Sequence, residues 1–295
     1  MLFRSSDAGG AVGAWVARGG VRRLGLDPHA IRHAVWERIA ATTPGIELIP
    51  ARGWGVQLRA VKESAEIERI AAACAVADRA LAGLLPQIRP GTTEVALAWS
   101  LERAMREGGA EALAFDVAAL AGGNAALPHG NPGERALRMG EVILFDFGAQ
   151  VAGYRSDMTR TLFLGEPSAE ERDIYLGVLR GQSAAIELLR GAVSGRAAAL
   201  PSGRAADDAA RAAIGNVPGV YEHGLGHGIG LQTHESPSLS RGATSDPLPS
   251  PTVFSVEPGI YIEARIGVRI EDLVVVDLDA GRLERLTSFP SELIV

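Results

Sequence analysis

Four carboxylates and one imidazole follow one another along the second half of this chain. They are Asp146 and Asp157 in FDFGAQVAGYRSDMTRT, His227 in HGLGHGIGL, Glu257 in SVEPGIY and Glu271 in GVRIEDLVVV. An oxygen-rich donor set with one nitrogen suits a hard or borderline divalent cation: manganese, cobalt, iron or zinc. So many carboxylates point to a pair of ions about 3.5–4 Å apart, the arrangement of two-metal hydrolases. Asp146 follows VILF, Glu257 follows VFSV, and Glu271 lies in VRIEDLVVV. A carboxylate in a buried strand is costly unless it is paired or bound to metal, and metal at these acids would offset that cost.

A single buried acid or histidine is more often a satisfied core group than a ligand. The combination is what carries weight. Of six histidines, His129, His223, His227 and His234 lie in or near these segments, while His29 and His33 read as the solvated face of a helix. Gly224, Gly226, Gly228 and Gly230 would permit an unusual backbone beside the site. A serine hydrolase finds no support, because no G-x-S-x-G elbow occurs. Cys74 falls in an apolar helical pattern with no activating neighbour and reads as small core filler.

The positioning elements fall into two regions that divide at about residue 61. Residues 1–60 read as a small α/β unit: a short helix over 8–18, strands over 21–27 and 46–50, and a helix opened by Pro28 that runs to about Thr42. Beyond residue 61, Ser64 is expected to cap a long helix whose apolar stripe is Ile67, Ile70, Cys74, Ala77, Leu81 and Leu84. Pro86 and Pro90-Gly91 end it. A second helix covers about 93–107 and a strand 117–121. Residues 141–165 read as a hairpin bent near Gly148 and Gly153. Ser168 and Glu171 form a capping box for a helix to about Leu189, and a shorter helix lies at about 204–214. The segments around His227, Glu257 and Glu271 supply further strands. The order helix, strand, then strand pair with two acids occurs twice, with acids eleven apart in one half and fourteen in the other. An imperfect duplication about a pseudo-twofold axis would bring four acids to one centre, since residues on two antiparallel strands can converge on one face.

Composition sets limits. The chain has 295 residues, 47% apolar and 22% charged, with a net charge of −6. That fits one or two globular domains. No Lys/Arg run resembles a footprint for phosphate backbones, so nucleic acid is excluded as the expected partner. One cysteine permits no intrachain disulfide and fits a reducing compartment. With no apolar signal core at the start and no stretch judged long enough to span a bilayer, no membrane partner is expected and the cytoplasm is the expected location.

Together the blocks VKESAEIERI, LPHGNP, DFGAQVAGYRSDMTRT, HGLGHGIGLQTHESP, VEPGIY and GVRIEDLVVV resemble the pita-bread metallopeptidases, specifically the aminopeptidase P and prolidase branch. The resemblance covers about residues 61–295. It implies an α+β fold of two duplicated α/β half-domains around a curved antiparallel sheet. By this resemblance Asp146 holds one metal, His227 and Glu257 serve the other, and Asp157 and Glu271 bridge both. The ions would be two per chain, manganese first, with cobalt, zinc and iron as alternatives. His223 and His234 are similar to the pair that contacts the scissile amide and the developing oxyanion. His129 resembles the histidine lining the proline side of the pocket, and Arg269 the arginine that hydrogen-bonds the metal-site carboxylates. Residues 21–60 resemble the end of a creatinase-type N-terminal domain that is usually about twice as long. Either its first half is missing, or this is a compact variant.

The implied activity is hydrolysis of the Xaa-Pro bond at the N-terminus of peptides with proline second. Glu257 would shuttle the water's proton, and a homodimer is the expected assembly. A short N-terminal unit favours an aminopeptidase with an open proline-side exit over a dipeptidase. A metal-free creatinase-like hydrolase and a non-catalytic binding module are alternatives, but each would be expected to lose the ligands retained here.

Overall fold

Asp7 caps the first helix, α1 (Ala8–Arg18), accepting a hydrogen bond from Gly10 N at 2.8 Å. The same carboxylate pairs with Arg38 at 2.6 Å on α2 (His33–Thr42). Between them runs β1 (Arg23–Leu26), and after α2 comes β2 (Glu47–Pro50). The two strands pair in parallel from Arg23↔Glu47 to Leu26↔Pro50, so α2 is the crossover that a parallel pair requires. Val16 and Ile39 fill the core of this unit. The computed structural model describes residues 7–28, 30–51, 53–195 and 197–291. The chain divides into two units, Met1–Arg59 and Ala60–Val295.

Two expectations for the first unit need correction. Pro28 does not open α2. Ala30 N and Ile31 N both donate to Asp27 O, and the helix starts at His33. His33 is exposed there, as expected, whereas His29 lies outside the described residues. Helix α3 (Trp54–Ala60) was not foreseen. Trp54, Val56 and Leu58 are all exposed, so WGVQLRA carries no buried stripe to betray it.

The second unit opens with α4 (Ser64–Leu84). Its cap is Glu63, not Ser64: Glu63 and Glu66 make a reciprocal capping box that places Ser64 inside the helix. All six residues of the expected stripe are buried. A short 3-10 turn, Leu85–Gln87, precedes α5 (Glu94–Glu107), which Thr93 caps. Then follow β3 (Ala112–Leu113), β4 (Ala118–Ala121), a 3-10 turn at Gly122–Ala126, β5 (Val142–Phe147), β6 (Ala149–Val151), β7 (Tyr154–Arg155) and β8 (Met158–Phe163). Helix α6 (Ala169–Ser194) carries the expected Ser168–Glu171 capping box and runs five residues further than its sequence suggests. Helix α7 (Gly203–Ile214) precedes β9 (Gly226–Gly228), β10 (Glu235–Leu239), β11 (Thr252–Val256), β12 (Gly259–Ile262), β13 (Ile266–Arg269), β14 (Asp272–Asp277) and β15 (Arg282–Arg285).

The same plan appears twice. β4-β5-β8 form one antiparallel set behind α4 and α5, and β10-β9-β11-β14-β15 form the other behind α6 and α7. Central strands are covered on both faces. Ile143, Phe145 and Phe147 of β5 join the cluster beneath α4 and α5, while Val142 and Leu144 join the cluster beneath α6. The halves meet where β8 approaches β13 and β14. Glu271 N donates to Thr159 O at 3.1 Å, and Thr161 Oγ1 exchanges hydrogen bonds with the Arg269 backbone. Asp157 and Glu271 lie at this seam.

Helix α4 corrects one further expectation. Residues Ser64–Gln87 are long and apolar enough to cross a membrane by length and composition, at a mean hydropathy of 1.2. Their apolar side chains are instead buried against both strand sets, with Ile67, Ile70 and Cys74 packed on Val253, Leu273 and Val275. A core helix clad on several sides shows this composition without any lipid.

Candidate active site

All five proposed ligands line one cavity of about 480 Å³. Asp146 sits on β5, Asp157 just before β8, His227 in the middle of β9, Glu257 just after β11, and Glu271 between β13 and β14. Strand ends are where a carboxylate can leave a covered sheet and reach a cavity. The glycines flanking His227 have a different role from the one expected. Neither has a positive φ. A Cβ on Gly226 would lie 1.9 Å from Ser255 O, and one on Gly228 would lie 2.1 Å from Ser236 O. β9 is squeezed between β10 and β11, and only glycine lets those backbones approach so closely.

Asp157, His227 and Glu271 each offer a ligand atom, and these atoms lie within 4.8 Å of one another. Glu257 joins them through His227, whose Nε2 lies 3.2 Å from Glu257 Oε1 and 3.7 Å from Asp157 Oδ2. Asp146 lines the same cavity, its Oδ2 2.5 Å from Arg269 Nη2.

Glu271, Glu257 and His227 are oriented by neighbouring hydrogen bonds. Thr159 Oγ1 donates to Glu271 Oε2 at 2.6 Å, and Arg269 Nε donates to Thr159 Oγ1 at 2.9 Å. Glu271 Oε1 is buried with no hydrogen bond. Ser255 Oγ donates to Glu257 Oε1 at 2.8 Å and accepts from His227 N at 3.0 Å. His227 Nδ1 lies 3.1 Å from Gly228 O. A carbonyl only accepts, so Nδ1 carries a proton and Nε2 is the nitrogen turned towards the carboxylates.

The electrostatics ask for a cation. Burial, then the charges of Glu271, Asp146 and Glu257, push the Asp157 carboxyl well above the usual range. Burial, then Glu257 and Asp146, do the same to Glu271. Burial outweighs the Arg269 charge and raises Asp146. His227 works against its own burial and is raised to about 9 by the Glu257 hydrogen bond and the surrounding carboxylates. Glu257, burial notwithstanding, is drawn down to about 2 chiefly by His227. Crowded carboxylates, an orphaned oxygen and an imidazole already oriented with Nε2 towards them are features that suit a divalent cation, which would displace the Nε2 proton.

The other expected residues line the same cavity. His223 is engaged at both nitrogens: Nδ1 donates to Gly224 O at 2.7 Å, and Nε2 accepts from Tyr261 Oη at 2.9 Å. Tyr261 in turn accepts from Arg269 Nη1 at 2.8 Å. The relay Arg269–Tyr261–His223 is consistent with a neutral imidazole, and burial lowers the His223 pKa. Arg211 on α7 fixes this segment, donating to the carbonyls of Tyr221 and His223 at 2.6 Å each. His234 and His129 are exposed to the cavity, with Phe115 and Pro128 beside them. The loop bearing His129 is held by Glu94, which is fully buried and accepts from Ala121 N, Asn124 Nδ2 and Gly133 N.

A model of metallopeptidase family M24 matches residues 68–277. The chain belongs to family M24. An uncharacterized peptidase of Bacillus subtilis, YqhT, is 34% identical over 276 residues, covering 94% of this chain and 76% of the relative. A Xaa-Pro dipeptidase of Pyrococcus furiosus is 36% identical over 239 residues, covering 80% and 66% respectively. Among solved structures, an X-Pro aminopeptidase from Thermotoga maritima superposes with a TM-score of 0.87 at 34% identity, over 99% of this chain and 80% of that one. A Xaa-Pro dipeptidase from Bacillus anthracis gives 0.88 at 35% identity, over 97% and 78%. This M24 chain thus has the pita-bread fold of the Xaa-Pro peptidase branch, and spans about two thirds to four fifths of these relatives' lengths.

Sequence inspection missed Thr159, Ser255, Tyr261 and Glu94. Thr159 and Tyr261 lie inside the quoted blocks, so proximity to Asp157 and Glu257 was available as a signal. Nothing local marks Glu94, whose partners are 27 to 39 residues away. Thr159→Val should weaken metal binding about 10–100-fold, the scale for losing an outer-shell partner, because it frees both Glu271 and Arg269. A competition titration with a chromophoric chelator measures this, and unchanged affinity would refute the orienting role.

Proposed function

We propose that this M24 member is a Xaa-Pro peptidase in which Asp146, Asp157, His227, Glu257 and Glu271 hold two divalent ions, manganese foremost. The orphaned, buried Glu271 Oε1 among crowded carboxylates is the observation that supports it most. Divalent ions in such a site supply Lewis acidity, polarising a carbonyl and acidifying water. Glu257, ionised and oriented by Ser255, accepts the water's proton and passes it towards the departing proline nitrogen. Partial desolvation, then the adjacent His227, lower the His234 pKa and favour the neutral ring, whose one N–H donates to the carbonyl oxygen as negative charge develops. His129, Phe115 and Pro128 form the wall for the proline ring. Proline's amide nitrogen has no hydrogen, so the chain must recognise it by shape and not as a donor.

Cleavage beyond dipeptides is favoured by the charge of the cavity wall. Among the described residues lining it, Arg269 is the sole arginine or lysine, and it is committed to Asp146. A strict dipeptidase needs a cation to hold the free proline carboxylate. Against this stands the naming of the Pyrococcus and B. anthracis relatives as dipeptidases. The deciding measurement is kcat/KM of the manganese-loaded protein on Ala-Pro, Ala-Pro-Ala and Ala-Ala-Ala. We expect cleavage of Ala-Pro-Ala at least as efficient as that of Ala-Pro, with Ala-Ala-Ala resistant. Cleavage of Ala-Pro alone would make it a dipeptidase, and equal cleavage of Ala-Ala-Ala would overturn Xaa-Pro selectivity.

A further inference from the structure

His234 is poorly secured by its own ring. Among the described residues no hydrogen bond reaches it, and the imidazole rests against His227 with centroids 4.0 Å apart. The residues on either side are held firmly. Thr233 Oγ1 donates to Ala114 O at 3.1 Å and accepts from Arg155 Nη1 at 3.1 Å. Glu235 Oε1 accepts from Gln232 N at 3.0 Å, and Glu235 Oε2 lies 3.6 Å from Lys62 Nζ. The side chains of Lys62 and Glu235 are 1% and 4% exposed. Lys62 directly precedes the α4 cap, and its own N–H donates to Pro251 O at 2.9 Å. The pair therefore ties the residue after His234 to the start of the longest helix in the first half of the unit. Packing around it is close: a Cβ on Gly230 would meet Glu235 Oε2 at 2.8 Å and Lys62 Cε at 3.1 Å.

An ion pair sealed from water is weak support for stability, because desolvation opposes the attraction. Fixing one arrangement of a segment is the better-attested use of such a pair. We propose that Lys62 and Glu235 form a positioning device that sets His234 where its ring N–H meets the substrate carbonyl. Neither residue lines the cavity. The inference rests on the role given to His234 above.

The test combines Lys62→Met/Glu235→Gln, which removes both buried charges together, with His234→Ala. All proteins are full-length and manganese-loaded, and are assayed on the same Xaa-Pro peptide. Metal content and thermal melting are measured alongside. The charge-free pair should bind metal normally and lower kcat about 10–100-fold, the cost of an ångström-scale misplacement, with KM within about twofold. In the His234→Ala background the same pair should have little further effect, because residues acting through one group are not additive. Wild-type turnover of the charge-free protein, or an equal loss in both backgrounds, overturns the proposal. Full turnover of His234→Ala alone overturns the role of His234 itself, and the pair's role with it. Should the double substitution not fold, Glu235→Gln alone makes the same comparison.

Discussion

Chelation should abolish hydrolysis and lower the melting temperature by roughly 5–15 °C, with both restored by manganese. The range follows from linkage: metal at 100 to 1,000 times its dissociation constant stabilises by about 2.7–4.1 kcal/mol, and 1 kcal/mol is worth about 2–4 °C in a chain of this order of size. The loss should grow with pH. Asp157 and Glu271 titrate above their usual range in the metal-free fold, chiefly through burial and then through neighbouring carboxylates, and His227 titrates at about 9. Groups with raised folded-state pKa values stabilise below their unfolded values, and that contribution is lost as pH rises through the folded ones. Glu257, drawn down to about 2, stays ionised throughout the window. Between about pH 5 and 9 the metal-free protein should therefore lose stability as pH rises, while the loaded protein should not. Calorimetry of both forms across that window is the check. Activity that survives exhaustive chelation would end the two-metal reading.

Asp157→Asn and His234→Ala should fail in different ways. Asp157 belongs to the close-packed ligand group, so its amide variant should lose metal together with activity. His234→Ala should keep its metal and lose about 10²–10³-fold in kcat, the scale for removing one donor to a developing oxyanion. Metal analysis beside steady-state kinetics separates the two outcomes. If His234→Ala strips metal or leaves turnover intact, the assignment of His234 is wrong.

Much of this was legible in one dimension because the chemistry is written in residue types that buried strands otherwise avoid. An acid after VILF or VFSV has few explanations in a covered strand, and the five proposed ligands do meet in one cavity. The helical stripe from Ile67 to Leu84 was equally plain, since burial follows the period of the helix. Local pattern failed where local pattern is absent. Helix α3 exposes Trp54, Val56 and Leu58, α2 starts at His33 and not at Pro28, and Glu63 takes the capping role expected of Ser64.

By itself the sequence determined the donor types, their order and the helical stripes beside them, because these are properties of composition and period, whereas the duplication it only suggested. Only the tertiary structure decided how the donors are aimed. The Glu271 carboxylate is turned by Thr159, 112 residues away, and Asp146 is held by Arg269, 123 residues away. The glycines beside His227 answer to the backbones of Ser255 and Ser236, not to any turn of their own. Contacts between segments so distant leave no periodic trace. They arise only when the two halves close on each other and every buried polar atom must find a partner or a cation.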